Sequence, residues 1–239
     1  MLVGVAGGAA AEVETTGRDA VLVEDAARIR VMGTPILEAL PSRGAPYQRV
    51  DPFILVHEGR VRLSDVAKVD TRHPHRGFDN LWYLLEGSVS TGHSTGPGGA
   101  MERARLSPGA LLALRTGRGA WHAEALGADE LGEGHADTEF RGVLFWVNLA
   151  RTDKQVAPSA QVVAPEQLPV RQEGDAVVRV LDGEAAFGAN LRPARASQLV
   201  LLGPGEEFAV TGAAPGTRFL LMTGQPYGEV PVFNGPFVD

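Results

Sequence analysis

The chain contains no cysteine, which rules out a disulfide framework, a thiolate-held zinc and an iron–sulfur centre. Any bound metal must be held by nitrogen and oxygen. Runs of basic residues are also missing, and the formal net charge is −7 over 239 residues with a pI near 5.4. A nucleic-acid duplex needs a concentrated positive patch, so direct nucleic-acid binding is disfavoured. Long apolar runs are lacking too. The opening MLVGVAGGAAAE is small and mildly apolar, far short of the ~20 residues that cross a bilayer. No basic residue precedes Arg18, so a secretory leader would lack its charged start. The expectation is a cytoplasmic protein without a membrane segment, opening on a flexible stretch or a modest strand.

What the chain does have is frequent punctuation. Thirty glycines and sixteen prolines separate brief apolar runs: LWYLLEG (81–87), ALLAL (110–114), GVLFWVNL (142–149), ASQLVLL (196–202) and RFLLM (218–222). Apolar stripes of 3.6 period are scarce, the best helical signal being the short PEQLP stretch at Pro165–Leu168. Short runs with dense turn chemistry predict an all-β sandwich or barrel. With 44% hydrophobic and 21% charged residues, the composition supports a packed core over most of the length.

A weak internal repeat divides the pattern. LLEGSV (84–89) is followed by LSPGALL (106–112), and VLDGEA (180–185) by LGPGEEF (202–208). Gly87 to Gly109 and Gly183 to Gly205 are both 22 positions. Pro-Gly at 108–109 and at 204–205 fits a type II turn, which needs φ > 0 at its third residue. Two related β units are expected, joined through 151–170, where Asp153, Lys154, Pro158, Pro165 and Pro169 mark an exposed connection.

Four residues carry the chemistry. His73 and His75 lie in THPHRGF, and His122 and Glu124 in TGRGAWHAE. Each pair is spaced i, i+2, which on a strand points both side chains to one face. Two such strands brought together give three imidazoles and a carboxylate around one point. Such a set suits Fe(II), Ni(II), Mn(II), Cu(II), Co(II) or Zn(II), with Fe(II) preferred. Each pair alone is more often a surface or hydrogen-bonded pair than a ligand set. Offsets matching these four in the second unit fall on Pro169, Arg171, Arg218 and Leu220, so that unit is expected to be metal-free. Asp79 is a candidate to orient an imidazole, or an ordinary surface acid. Arg72, Arg76 and Arg118 could hold an anion, face a partner or pair with acids. Trp121 and Phe78 could wall a pocket, with Trp82 and Phe53 in the core. His57 is expected to be packed or hydrogen-bonded. His93, His135 and Glu86 are expected to be solvated.

At these residues the chain resembles the pirin family, bicupin proteins of the cupin superfamily. The similarity runs through VDPFILVHEG (50–59), HPHRGFDNLWYLLEG (73–87), LSPGALLALRTGRGAWHAE (106–124), LFWVNLARTDK (144–154) and GQPYGEVPVFNGPFVD (224–239). The resemblance implies two stacked β-barrels, with one mononuclear metal in the N-terminal barrel held by His73, His75, His122 and Glu124. It implies either a quercetin 2,3-dioxygenase-like oxidoreductase acting on a flavonol-like substrate, or a non-enzymatic iron-dependent redox sensor working through protein partners. In the first case Glu124 would also act catalytically, as proton acceptor. The expected division is an N-terminal extension with the first strands (1–49), a metal-binding cupin domain (50–150), a linker (151–170) and a metal-free cupin-like domain (171–239). The last looks abridged between Leu191 and Ser197, which would favour a homo-oligomer or cover by the N-terminal extension. Asp79 stands where the family usually has Glu.

Overall fold

The computed structural model describes residues 2–5, 16–62, 64, 71–96, 100–123, 139–168 and 175–239, with the backbone course alone at 2–5 and 175–179. Twenty-one strands occur among the described residues. The first eight are β1 (Leu2–Val5), β2 (Ala20–Asp25), β3 (Ala27–Val31), β4 (Thr34–Leu40), β5 (Phe53–Arg62), β6 (His73–His75), β7 (Phe78–Glu86) and β8 (Val89–Ser94). Next come β9 (Glu102–Leu106), β10 (Leu111–Arg115), β11 (Ala120–Ala123), β12 (Glu139–Asn148), β13 (Ser159–Val163), β14 (Asp175–Asp182) and β15 (Glu184–Phe187). The rest are β16 (Arg192–Arg195), β17 (Gln198–Leu202), β18 (Val210–Thr211), β19 (Arg218–Gly224), β20 (Phe233–Asn234) and β21 (Phe237–Val238). The fold is all-β. A short helix, α1, spans Tyr47–Val50, and the PEQLP signal becomes a 3-10 turn at Pro165–Gln167. No described helix is long and apolar enough to cross a membrane.

The chain forms two compact units. One comprises 28–38, 52–168 and 227–239. Its seven-stranded sheet runs β13-β10-β7-β12-β5-β4-β3, and its four-stranded sheet runs β6-β11-β8-β9. Inward positions alternate along β7 and β12, so Trp82, Leu84 and Phe140 meet Val89, Leu106 and Leu112 in one buried cluster. The stretch 151–168, expected as a connection, carries β13 paired to β10, and Lys154 within it is buried.

The other unit comprises 1–27, 39–51 and 169–226. Its five-stranded sheet runs β1-β19-β14-β17-β2, beside a three-stranded sheet β16-β15-β18. The opening stretch of the chain supplies both outer strands of the larger sheet: β1 pairs with β19 and β2 with β17. Residues 2–5 and 20–25 thus form the two edge strands of this sheet. Its core gathers Val180, Phe187, Val200 and Phe219.

The two halves of the repeat fold differently at Pro-Gly. Ala110 N–H donates to the Ser107 carbonyl at 2.9 Å and Gly109 has φ +86, as a type II turn requires. At 204–205, Gly205 has φ +150 and Glu206 N–H donates to the Thr16 carbonyl instead. Capture of that amide by a distant segment replaces the local turn.

Candidate metal centre

Strand β6 is only three residues long, and it lies antiparallel to β11 with His73 opposite His122, Pro74 opposite Trp121 and His75 opposite Ala120. Period-2 alternation puts His73, His75 and His122 on one face and Pro74 and Trp121 on the other. The three histidines offer ligand atoms that all lie within 4.8 Å of one another. Ring centroids are 4.4 Å apart for His73–His75 and 5.7 Å for His73–His122. Glu124, the fourth expected ligand, lies outside the described residues, as does His135.

The surroundings set which nitrogen carries a proton. His73 Nδ1–H donates to the Thr71 carbonyl at 2.6 Å, so its lone pair resides on Nε2. The Thr91 hydroxyl donates to the Ala123 carbonyl at 2.5 Å, so its oxygen, 3.2 Å from His122 Nε2, accepts that ring proton. His122 Nδ1 is then the acceptor, with Asn80 Nδ2 at 3.4 Å. His75 Nδ1 and Asn80 Oδ1 have no hydrogen-bond partner among the described residues. Phe78, stacked on Trp146 at 4.2 Å, and Trp146 itself both pack edgewise on the His75 ring at 5.1 Å.

Burial holds two of these rings, His75 and His122, neutral. It pushes His75 down to about 3, with the charge of His73 adding to the effect and the Pro236 carbonyl opposing it. His122, fully buried, is held well below the ordinary histidine value by burial and then by His75, His73 and His93. Neutral imidazoles with fixed tautomers are what a divalent ion requires. His75 and His122 therefore suit a divalent ion, which would replace the long Asn80 contact at His122 Nδ1.

The same burial has a cost in acid. Unfolded histidine takes up its proton near pH 6.5, whereas folded His75 resists until about pH 3. Between those values the unfolded chain binds more protons, so stability is intact above pH 6.5 and falls with pH, by up to about 1.4 kcal/mol per pH unit for one such group. Urea midpoints of chelator-treated protein are expected to fall from pH 7 to pH 4, and His75→Gln to flatten that slope. An unchanged slope in the variant would refute the assignment.

Other sequence expectations divide. His57 is hydrogen-bonded, Nε2 to Glu38 Oε2 at 2.8 Å. Phe78, Trp82 and Phe53 are buried, Phe78 against the site. Asp79 does not orient an imidazole: it faces away from Phe78 and Asn80 and pairs twofold with Arg115 at 2.9 Å. His93 is not solvated but buried on β8, opposite His122. Glu86 pairs with Arg60 and Arg141. Trp121 stands 46% exposed on the far face of β11. There it lines a groove of about 340 Å³ with Pro74, Arg76, Arg118 and Phe237. Thr71, Asn80, Thr91 and Trp146 were missed, although alternation along β7 and β12 points Asn80 and Trp146 inward.

Residues 34–147 match the pirin family model, and residues 159–239 match the model of the pirin C-terminal cupin domain. The chain belongs to the pirin family. A pirin-like protein of Caulobacter vibrioides is 27% identical over 256 residues, covering 87% of this chain and 84% of that protein. Mouse pirin is 37% identical over 138 residues, 58% of this chain and 42% of that protein. Three solved structures share the pirin fold. GK1651 of Geobacillus kaustophilus aligns with TM-score 0.72 and 21% identity, covering 90% of this chain and 99% of that one. A quercetin 2,3-dioxygenase of Acinetobacter baumannii gives TM-score 0.71 and 18% identity, covering 92% and 91%. The Escherichia coli pirin YhhW in complex with nickel(II) gives TM-score 0.57 and 14% identity, covering 89% and 99%. A histidine trio in a pirin fold is consistent with one divalent metal.

Proposed function

We propose that this pirin is a mononuclear metal oxidoreductase of the quercetin 2,3-dioxygenase kind. Its ion, Fe(II) by preference, is held by His73, His75, His122 and Glu124, and its substrate is flavonol-like. One observation carries the reading: Thr71, whose carbonyl holds the His73 ring, also lines an apolar cavity. The cavity, about 100 Å³, is lined further by Ile36, Val61, Trp82, Phe140 and Leu144. Its apolar and aromatic walls suit one face of an aromatic ring, the cavity being smaller than the roughly 300 Å³ that encloses a whole drug-sized ligand. The printed name of the Acinetobacter neighbour supports the same substrate class.

When bound, the ion supplies Lewis acidity that lowers the pKa of a substrate hydroxyl. The remaining work is the protein's own. Trp82, Phe140 and Leu144 exclude water and hold the ring, while Thr71 and Thr91 fix His73 and His122 in the tautomers that leave a lone pair on each. His57, tied to Glu38, places a polar group on the otherwise apolar wall. Glu124 receives the hydroxyl proton. Tag-free protein reconstituted with Fe, Ni, Mn, Cu or Co is expected to consume oxygen with quercetin and bleach the flavonol band. Absence of turnover with every one of these metals would reject the activity.

A second reading, a redox sensor read by a protein partner, is favoured by the groove beside His75. There Arg76, Arg118, Trp121 and Phe237 present charge and aromatic surface. In that case the partners recovered would depend on the oxidation state of the ion. The two readings share the metal centre, the division into a metal-bearing and a metal-free unit, and a cytoplasmic setting.

A further inference from the structure

The hairpin formed by β20 and β21 lies beside the candidate metal centre. Asn234 pairs with Phe237 across Gly235-Pro236, and Gly235 at φ +60 suits the first central position of a tight hairpin turn. The second strand of the hairpin lies alongside the backbone that leaves His75. Arg76 N–H donates to the Pro236 carbonyl at 3.4 Å, and Val238 N–H donates to the Arg76 carbonyl at 2.9 Å. Arg76 and Phe237 form a parallel bridge, and Phe237 lines the same groove as His75.

A buried cation holds the junction. Lys154, 7% exposed, donates from Nζ to the carbonyls of Gly77 at 2.9 Å and Val238 at 3.1 Å, and to Asn148 Oδ1 at 2.8 Å. All three donor positions are used on one side each of the hairpin, the post-His75 turn and the end of β12. No space is left there. Gly77 has φ +88, and a Cβ on it would lie 1.7 Å from the Val238 carbonyl oxygen. Loss of Lys154 would leave the Gly77 and Val238 carbonyls short of this donor at the junction. Because β6 has only three residues and lies at the edge of its sheet, its far side depends on this contact.

We propose that the Asn234–Asp239 hairpin, pinned by Lys154, is a positioning element of the metal centre: its seating fixes His75, and ion binding and hairpin seating stabilise each other. The proposal rests on the metal reading above. Lys154 acts through His75 and touches no substrate.

Coupling between two sites is reciprocal, so unmodified full-length protein can report it. Backbone hydrogen exchange at the Val238 amide, followed with and without Ni(II), is expected to slow when the ion binds. Lys154→Met and Gly77→Ala are expected to weaken Ni(II) roughly tenfold to a hundredfold, the range found when outer partners of metal ligands are lost. Both should also shift the visible spectrum of the Co(II) form. Leu106→Ala, in the core of the same unit, should lower stability yet leave affinity and spectrum unchanged. Should Lys154→Met and Gly77→Ala fail to fold, the exchange measurement decides alone. Identical Val238 exchange in the presence and absence of Ni(II) overturns the proposal while leaving the metal site standing, as does equal weakening by Leu106→Ala. A protein that binds neither Ni(II) nor Co(II) overturns both.

Discussion

Replacing His122 by alanine is expected to abolish stoichiometric binding of a divalent ion. This ring is fully buried and sits opposite His73 in the β6–β11 register. Two strands bring the donors together, and His122 is the one described imidazole that β11 contributes. Its loss leaves two donors on a single three-residue strand. The fall in affinity should therefore exceed the roughly tenfold to hundredfold cost of losing an outer partner. His93→Ala provides the contrast. His93 lies next to His122 across β8 and β11 but turns toward Glu102 at 3.9 Å, so its removal should leave the ion bound. Equilibrium dialysis with elemental analysis on tag-free protein reads both variants, and far-UV circular dichroism verifies that the strands persist. Retention of one ion per chain by His122→Ala would dismantle the site.

Much of this centre is legible in the sequence because a strand has period 2. Two i, i+2 pairs need only be strands for their side chains to share a face, and β6 and β11 are strands. The same rule explains the failure at Asp79. Its position four residues after His75 suggested proximity, but β7 begins at Phe78, and alternation then sends Asn80 inward and Asp79 outward to Arg115. His93 and Lys154 were read from local composition, Gly-rich and Pro-rich respectively. Their burial follows from pairing at a distance, His93 with β11 and Lys154 with residues 77, 148 and 238. The N-terminal strands repeat the lesson: β1 and β2 gain partners some 200 residues away, which no local pattern encodes. Gly87 and Gly183, matched in the repeat, both adopt positive φ, so that part of the periodicity reflects shared turn geometry.

Glu58→Ala is expected to destabilise the metal-bearing unit by about 3–5 kcal/mol, the usual result of stripping one partner from a buried ion pair. Glu58 and Arg141 are 7% and 8% exposed, and Oε1 receives both Nη2 at 2.5 Å and Nε at 2.9 Å. Arg141 reaches onward to Glu86 at 3.4 Å, and Glu86 to Arg60 at 2.7 Å, but these outer members are a third to a half exposed. Water screens them, so Arg60→Ala should cost at most about 1 kcal/mol. Glu86 cannot replace Glu58, because it already serves two guanidinium groups from a wetter position. Alanine at 58 therefore leaves a guanidinium cation desolvated without its close carboxylate. Removing both charges, as in Glu58→Leu with Arg141→Met, takes away that penalty together with the attraction. The double variant is expected to be far more stable than Glu58→Ala, and the double-mutant cycle to give a large coupling energy. Urea denaturation at pH 7.5 reads all of these. A Glu58→Ala midpoint close to wild type would mean that Arg141 finds water in this corner of the sheet, and that the β5–β12 pairing draws little of its strength from the pair.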